Sequence, residues 1–457
     1  DLPVAHVLPG KARLFQEGNP ILFGGVVKKL SENPSPMAGH EILVADHHGN
    51  AIGKGVYNPY SLYRVRMLAL QTEAGFAIPL TDLIKDRIES AYMMRKNGIM
   101  IPNADTTAYR LINSEGDRLS GLIVDVFGEI VVAQSAALWI EMNKQNIIDA
   151  LKHVLGNHCH VVWRQSTNFL KLDGYVAEAV PSATDDSELV AQKFPDGTNV
   201  LEEGIKYHVR PGSGQKTGFY CDQRKNRLML RPLCSGKKVL DLCCFSGGFS
   251  LNALHGGCTR LFVFLILPCI LMNLILHYSV IGVDSSEGAI NTATINMTLN
   301  RELDSAKCSF VKSDAIEYMK ECVLRGEEYD VIILDPPKLA PNAKALEKAT
   351  KKYSFYIVCR DPDTNFCTLH YYCRYITMNS LAMQLLNKKN GGLLFTCSCS
   401  AAMVQSPGKF QSVVSSAARR VGRTAQILST QTAAEDHPVL SNYSETKYLT
   451  GLLLHIV

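Results

Sequence analysis

The sequence predicts an α/β protein whose last domain is a Rossmann-like, doubly wound parallel sheet, preceded by a small all-β domain and a central α+β domain. Three patterns indicate this order. Residues 1–73 contain short alternating apolar runs divided by Gly, Pro and Asn, with an HHGN turn between two of them. Residues 74–195 combine two amphipathic helix patterns with a hairpin centred on Gly128 and Glu129. Residues 196–457 alternate helices with strands rich in Val, Ile and Leu.

Composition limits the class of protein and its surroundings. The chain has 457 residues, 46% of them hydrophobic and 20% charged, which is typical of a soluble protein with a sizeable core. A net charge of +4 is too small to indicate a nucleic-acid partner by itself. The 14 cysteines include no C-x-x-C pair, so we expect reduced thiols in an intracellular protein. A chain that begins at Asp1 leaves room for a targeting peptide, and the cytoplasm and an organelle (plastid or mitochondrion) both stay open.

Acidic residues follow four successive strands of the last domain. They are Asp241, Asp284, Asp314 and Asp335, and a glycine pair beginning at Gly247 follows the first strand. Ligands bind at the carboxyl ends of the strands in such sheets, and glycines there let the backbone approach closely. Any one of these aspartates is as readily explained as a helix N-cap, but four in order predict a cofactor site. The absence of G-x-G-x-x-G and of G-x-x-x-x-G-K-[ST] disfavours nicotinamide dinucleotides and nucleoside triphosphates.

The motifs GQKTGFYCDQRKNR, DLCCFSGGFS, GVDSS, KSDA, LDPPK and TCSCS together resemble a class I S-adenosylmethionine (SAM) methyltransferase. More closely, they resemble the RlmI-like family of large-subunit ribosomal RNA cytosine-5 methyltransferases. The resemblance covers nearly the whole chain, and QKTGFYCDQRKNR is its most specific part. It implies an N-terminal PUA domain, SAM as cofactor and ribosomal RNA as partner. A homodimer is left open.

By resemblance, individual residues acquire roles in binding SAM. Asp241 and Gly247 would hold the methionine end, Asp284 the ribose and Asp314 the adenine edge. The other residues expected to border the pocket are Phe219, Asp222, Arg224, Phe245 and Asp335. For Arg224 and Arg227 the alternative is a solvated basic helix start.

The chemistry of cytosine C5 requires a cysteine. C5 is a poor nucleophile until a thiolate adds to C6, and Asp335 would contact N3 and N4 of the base. The DPPK motif lacks cysteine, which leaves TCSCS. Family position implies Cys399 as nucleophile and Cys397 as a core neighbour; the alternative is that both only pack. We expect the pleat to direct these two thiols to opposite faces, and Cys243 and Cys244 to be core residues.

Two other functions stay open. An RNA guanine N-methyltransferase is disfavoured because Lys338 replaces the aromatic residue of N/D-P-P-Y/F, which stacks on the base. The second alternative is a catalytically inactive RNA-binding protein. The residues of the PUA-like domain that we consider for contacts with RNA are Lys28, Lys29, Arg64 and Arg66, with plain solvation as the alternative for each.

Two segments do not fit the domain pattern. Residues 261–280 contain no Asp, Glu, Lys or Arg, so hydropathy alone indicates a transmembrane helix. However, Asp241 and Asp284 lie 43 positions apart, about twice the usual spacing. We therefore expect an insertion between two strands of one sheet and no integral membrane association. Residues 354–375 are irregular and cysteine-rich, and we expect a second insertion outside the fold, without a metal site at Cys359, Cys367, Cys373 and His370.

Overall fold

The computed structural model describes residues 2–176, 185–211, 217–257, 279–338 and 366–457, without the side chains of 366–372. They form two compact units. The first consists of Asp1–Gly204, Val209–Asp222 and Glu435–Thr446. The second consists of Ile205–His208, Gln223–Ala434 and Lys447–Val457.

A six-stranded sheet opens the first unit. Its strand order is β2-β6-β5-β4-β1-β3, and all neighbours are antiparallel except β1 and β4. The predicted HHGN hairpin is confirmed: the Asp46 carboxylate accepts hydrogen bonds from the backbone N–H groups of His48 and Asn50. The elements are β1 (Val4–Val7), α1 (Ala12–Gln16), β2 (Ile21–Phe23), β3 (Val27–Leu30), β4 (Glu41–Ala45), β5 (Ala51–Tyr57) and β6 (Tyr63–Leu70).

A four-stranded sheet in the order β10-β9-β8-β7 follows. The predicted hairpin at Gly128 is confirmed, since β8 and β9 pair antiparallel on either side of it. The helix predicted near residue 83 buries its apolar stripe. The elements are α2 (Leu80–Met93), β7 (Ala108–Asn113), β8 (Leu122–Phe127), β9 (Ile130–Ser135), α3 (Leu138–Met142), α4 (Lys144–Leu155), β10 (His160–Gln165), α5 (Thr167–Leu172) and α6 (Ser187–Lys193), then the two-stranded sheet of β11 (Thr198–Glu202) and β12 (Ile205–Val209).

The two N-terminal sheets pack together within the first unit. Val56 and Leu68 of the first sheet share a core cluster with Ile84 of α2. Arg66 donates hydrogen bonds to Ser120 Oγ (2.7 Å) and to Asp173 Oδ2 (3.4 Å), and it is only 6% exposed. Arg66 as an RNA-contact candidate is therefore wrong, because its guanidinium is used inside the unit. Among the other candidates, Lys28 and Lys29 are exposed and Arg64 is half-buried.

A late segment of the chain also belongs to the first unit. The pattern placed all of 196–457 in the last domain, but Glu435–Thr446 packs with the first unit. The Asp436 carboxylate accepts a hydrogen bond from the backbone N–H of Arg110 (2.8 Å), and its carbonyl accepts one from Arg95 Nη2 (2.8 Å). Arg95 is fully buried and paired with Asp117. These buried polar bonds fix the segment there.

The second unit is built on a seven-stranded sheet in the order β15-β14-β13-β16-β17-β19-β18. The first five strands are parallel, and β19 pairs antiparallel with β17 and β18. The strands are β13 (Val239–Leu242), β14 (Val280–Asp284), β15 (Cys308–Lys312), β16 (Val331–Leu334), β17 (Gly392–Ser398), β18 (Ala425–Gln431) and β19 (Thr450–Ile456). The helices are α7 (Arg224–Leu230), α8 (Gly248–His255), α9 (Glu287–Leu299), α10 (Ala315–Leu324), α11 (Phe366–Leu385), α12 (Ala401–Val404) and α13 (Lys409–Arg420).

The strand order of this sheet indicates where a ligand would bind. The chain runs outward from β13 to β14 and β15, then returns to β16 on the other side of β13. Such a switch point leaves a crevice at the carboxyl ends of the two central strands. Both strands are fully buried, as their Val, Ile and Leu content predicted. The predicted Rossmann-like sheet is confirmed.

The two predicted insertions have different outcomes. The first, 261–280, lies outside the described residues except for its last two, where β14 begins at Val280. The end of the second is helical, because α11 begins at Phe366 rather than near residue 377. Tyr375 is fully buried, with its hydroxyl 3.1 Å from Ser398 Oγ, so this end packs in the core and the expectation is wrong for it. Residues 354–365 lie outside the described residues.

The predictions about a membrane span and about a metal site concern these two segments. Within the described ranges, no helix is both long enough and apolar enough to cross a bilayer. Those ranges also contain no group of three or more His, Cys, Asp or Glu arranged to hold a metal ion. Cys359 and the side chains of Cys367 and His370 lie outside them.

Candidate active site

Asp241 and Asp335 lie at the carboxyl ends of the two central strands. The Asp335 backbone N–H donates to the carbonyl of Leu242, the last residue of β13 (3.4 Å). Asp241 Oδ2 accepts from the Ser250 N–H (2.9 Å) and hydroxyl (2.6 Å). Asp241 Oδ1 is buried and has no hydrogen-bond partner among the residues that the structure describes. Burial, with the nearby charges of Asp335 and Asp284, raises the pKa of Asp241 to about 7.

The turn after β13 is strained. Cys243 (φ 61°) and Phe245 (φ 47°) are left-handed without being glycine, and Gly247 (φ 77°) is the N-cap of α8. A Cβ on Gly247 would lie 3.0 Å from Phe310 Cζ. Glycine is therefore required here for the backbone conformation and for close packing, whether or not it also contacts SAM.

Asp284 and Asp314 are anchored by backbone N–H groups. Asp284 accepts from the N–H of Phe245 (3.0 Å) and of Ser286 (2.9 Å). Asp314 is the N-cap of α10, since its Oδ1 accepts from the N–H of Ile316 (2.8 Å). The helix-cap explanation thus holds for Asp314, whose contact with adenine stays a prediction.

The two cysteines of TCSCS differ in exposure and partners. Cys397 is in β17 and fully buried, with its Sγ 3.6 Å from Gln223 Nε2. Cys399 lies just past the end of β17 and is half-buried, with its Sγ 3.9 Å from Asp335 Oδ1. The expectation of opposite faces is wrong, because side chains two positions apart on a strand share a face. Both thiols therefore lie on the side of Asp335 and of Gln223, which is hydrogen-bonded to Asp335.

That residue, Gln223, was missed by sequence reasoning. Its Nε2 donates to Asp335 Oδ2 (2.9 Å), and its Oε1 accepts from Asn226 Nδ2 (2.6 Å). The available signal was the spacing of Gln223 and Asn226, which places them one helical turn apart at the start of α7.

The charged neighbours of Gln223 are more buried than expected. Arg224 and Arg227 are 3% and 4% exposed, so the solvated alternative is wrong for both. Arg227 lies over the Phe249 ring, with its guanidinium carbon 6.0 Å from the ring centroid. Phe219 and Asp222 are buried in the first unit, and their contact with SAM stays a prediction.

Cys243 and Cys244 are unsuited to act as nucleophiles. Burial is the main cause that raises the pKa of both thiols far above the ordinary value, and the nearby carboxylates of Asp284 and Asp241 raise it further. Such thiols stay protonated and inert.

The residues present fit a cofactor that carries an ammonium group. Asp241 Oδ1 is a buried acceptor without a described partner, at the carboxyl end of a central strand. An unsatisfied buried carboxylate oxygen is costly, and an ammonium donor would satisfy it. Asp241 would thus hold the amino group of the methionine end of SAM.

Comparison with known proteins agrees with the fold. A family model described as a PUA-like domain matches residues 6–70, and one described as a methyltransferase domain matches residues 233–441. The fold and these matches define the class: a SAM-dependent methyltransferase with a PUA-like N-terminal domain.

Curated relatives narrow the class to a family. A protein of Tolumonas auensis named Ribosomal RNA large subunit methyltransferase I is 31% identical over 441 residues, 96% of each chain. The protein of the same name from Escherichia coli K12 is 30% identical over 454 residues, 98% of each chain. The chain belongs to the Ribosomal RNA large subunit methyltransferase I family.

Two solved structures share the fold over nearly the full length. One is the putative methyltransferase SMU.776 in complex with SAH, at a TM-score of 0.72 and 18% identity, covering 99% of each chain. The other is a putative SAM-dependent methyltransferase from Streptococcus mutans, at a TM-score of 0.70, 18% identity and the same coverage.

Proposed function

We propose that the protein methylates C5 of a cytosine in large-subunit ribosomal RNA, with Cys399 as the nucleophile and SAM as the methyl donor. The observation that carries this proposal is the 3.9 Å contact between Cys399 Sγ and Asp335 Oδ1, at the carboxyl ends of β17 and β16. The names of the curated relatives support ribosomal RNA as the substrate class.

Cys399 and Asp335 have complementary tasks in this reaction. The Cys399 thiol gives its proton to Asp335 as sulfur bonds to C6, and Asp335 passes that proton to N3 of the base. The former C5=C6 electron pair then forms a C4=C5 enamine, which makes C5 nucleophilic. When bound, SAM would supply an electrophilic methyl group to C5 and leave as S-adenosylhomocysteine. A base then removes the C5 proton, the electron pair left on C5 re-forms the C5=C6 bond, and sulfur leaves C6 as a thiolate. The proton on N3 returns to this sulfur, which regenerates the thiol.

Two features favour Cys399 as the nucleophile, and a third disfavours an exocyclic amine as the methylated group. Cys397 is fully buried and contacts Gln223, whereas Cys399 is half-buried beyond the strand end. Cys243 and Cys244 have raised thiol pKa values. Lys338, at the fourth position of DPPK, is exposed and provides no ring for stacking on a base whose exocyclic amine is methylated.

Bisulfite sequencing of large-subunit ribosomal RNA tests the proposal. We expect one cytosine to lose its protection when the gene is removed, to regain it with the wild-type gene and to stay unprotected with Cys399→Ala. Unchanged cytosine methylation would contradict the proposal. Loss of an N-methylguanine when the gene is removed would favour an RNA guanine N-methyltransferase. Absence of SAM binding in a calorimeter would favour a catalytically inactive RNA-binding protein.

A further inference from the structure

A chain of hydrogen bonds connects Thr432, just past the end of β18, with the Asp335 carboxylate. Asn226 Nδ2 donates to the carbonyl of Thr432 (3.3 Å) and to Gln223 Oε1 (2.6 Å). Gln223 Nε2 donates to Asp335 Oδ2 (2.9 Å). Gln223 is 2% exposed and Asn226 is fully buried, so water does not compete for these bonds.

The contacts fix which way the Gln223 amide points. Its oxygen accepts from Asn226, and its nitrogen, which has two hydrogens, lies against Asp335 Oδ2 and Cys397 Sγ (3.6 Å). A flipped amide would place its oxygen against the Asp335 carboxylate and its N–H groups against the Asn226 donor. Asn226 thereby holds the amide in one orientation.

The amide in turn sets the rotation of the Asp335 carboxylate. With Oδ2 held by Gln223, the other oxygen, Oδ1, is the one that faces Cys399 Sγ. A charge-assisted bond from a buried amide is stronger than a neutral one, and it restrains the carboxylate. Gln223 thus aligns Asp335 with the Cys399 thiol without itself contacting that thiol.

We propose that Gln223, oriented by Asn226, is a positioning residue that aims Asp335 Oδ1 at Cys399 for the proton transfer. This inference rests on the proposed cytosine-5 activity. It gives Gln223 and Asn226 of the CDQRKNR motif a positioning role that acts through Asp335.

Replacing Gln223 with a carboxylic acid gives a pH-dependent readout that a packing role would not produce. In Gln223→Glu, two carboxyl groups face each other and retain one proton between them up to a raised pKa. While that proton is present, the introduced group still donates to Asp335. When it is lost, the two charges repel and Asp335 turns away. Among the described residues, the titratable groups that act on Asp335 include Asp241, Cys243 and Cys399, and all three are unchanged in the variant.

The experiment measures methylation of ribosomal RNA by the full chain at about pH 6 and about pH 8.5, each rate divided by that of wild type at the same pH. We expect Gln223→Glu to be within about threefold of wild type at the lower pH and about tenfold to a hundredfold slower at the higher pH. Gln223→Leu, which has no donor, should be equally slow at both. Gln405→Glu, an exposed glutamine of the same unit, should equal wild type at both. SAM binding by calorimetry reports that each variant is folded.

The possible results separate the two proposals. A pH-independent ratio for Gln223→Glu, with wild type active, would overturn the positioning role and leave the proposed function standing. If wild type formed no 5-methylcytosine, the proposed function would fall, and this inference with it. If Gln223→Leu does not fold, the two pH values for Gln223→Glu still decide.

Discussion

The Sγ of Cys399 and the Oδ1 of Asp335 lie 3.9 Å apart, although 64 positions separate them in the chain. Parallel pairing of β16 with β17 brings them together, because Leu334 pairs with Thr396 and both carboxyl ends lie at the same edge of the sheet. A thiol with a carboxylate as its neighbour has a proton acceptor in place before the substrate arrives. This pairing is the basis of the proposed covalent mechanism.

Cofactor binding should depend on pH through Asp241. Burial raises the pKa of Asp241 to about 7, so the folded chain holds a proton here that the unfolded chain loses near pH 4. The free energy of unfolding contributed by this group therefore falls as pH rises from about 4 to about 7. An ammonium group favours the ionised carboxylate, so SAM affinity should rise about tenfold per pH unit up to about pH 7.

Calorimetric titrations with SAM between about pH 5.5 and 7 measure this dependence. Asp241→Asn should bind more weakly and lose the dependence, while Asp304→Asn, at an exposed cap in the same unit, should keep it. Retention of the full dependence by Asp241→Asn would show that another group is responsible.

Gly247 should tolerate a side chain less well than a matched glycine. Gly247 and Gly408 are both helix N-caps with positive φ (77° and 71°), but an added Cβ contacts Phe310 and Ala293 only at Gly247. Each Gly→Ala variant should lose about 1–2 kcal/mol from the backbone conformation. Gly247→Ala should lose about 1 kcal/mol more from overpacking. Urea unfolding midpoints compare them, and equal losses would contradict the packing argument.

Exposed lysines of the PUA-like domain should contribute to RNA affinity. Lys28 and Lys29 are adjacent and exposed on β3. Lys28→Glu with Lys29→Glu should weaken ribosomal RNA binding and lower the slope of log affinity against log salt by about 1–2. The adjacent exposed pair Lys388 and Lys389 of the second unit provides the matched control. Equal effects from both pairs would indicate general electrostatics rather than a binding surface.

Local patterns predicted the sheets well and the long-range polar contacts poorly. The strands β13, β14, β16 and β17 were recognisable because each is a short, largely buried run. The edge strand β15 was also expected to be buried, but it is only half-buried. Gln223 was missed because its partner Asp335 is 112 positions away. Arg66 was misjudged because nothing near it in the sequence indicates burial by Ser120 and Asp173. The placement of Glu435–Thr446 in the first unit likewise depends on bonds to Arg95 and Arg110.

Removal of each thiol separates the roles of Cys399 and Cys397. Cys399→Ala should bind SAM normally but lose at least about a thousandfold in methylation rate, because no other group adds to C6. Cys397→Ala should keep most activity, since it removes only a buried sulfur that contacts Gln223. Single-turnover methylation of ribosomal RNA compares the two, and the reverse result would overturn the assignment.

Trapping the covalent intermediate tests the central claim most directly. Ribosomal RNA containing 5-fluorocytosine has no C5 proton to remove, so the S–C6 bond should persist after methyl transfer. Mass spectrometry of peptides from the trapped complex of the wild-type protein should find the modified nucleotide attached to Cys399. Attachment to Cys397 or to another residue, or no covalent complex while the wild-type protein methylates unmodified RNA, would contradict the account.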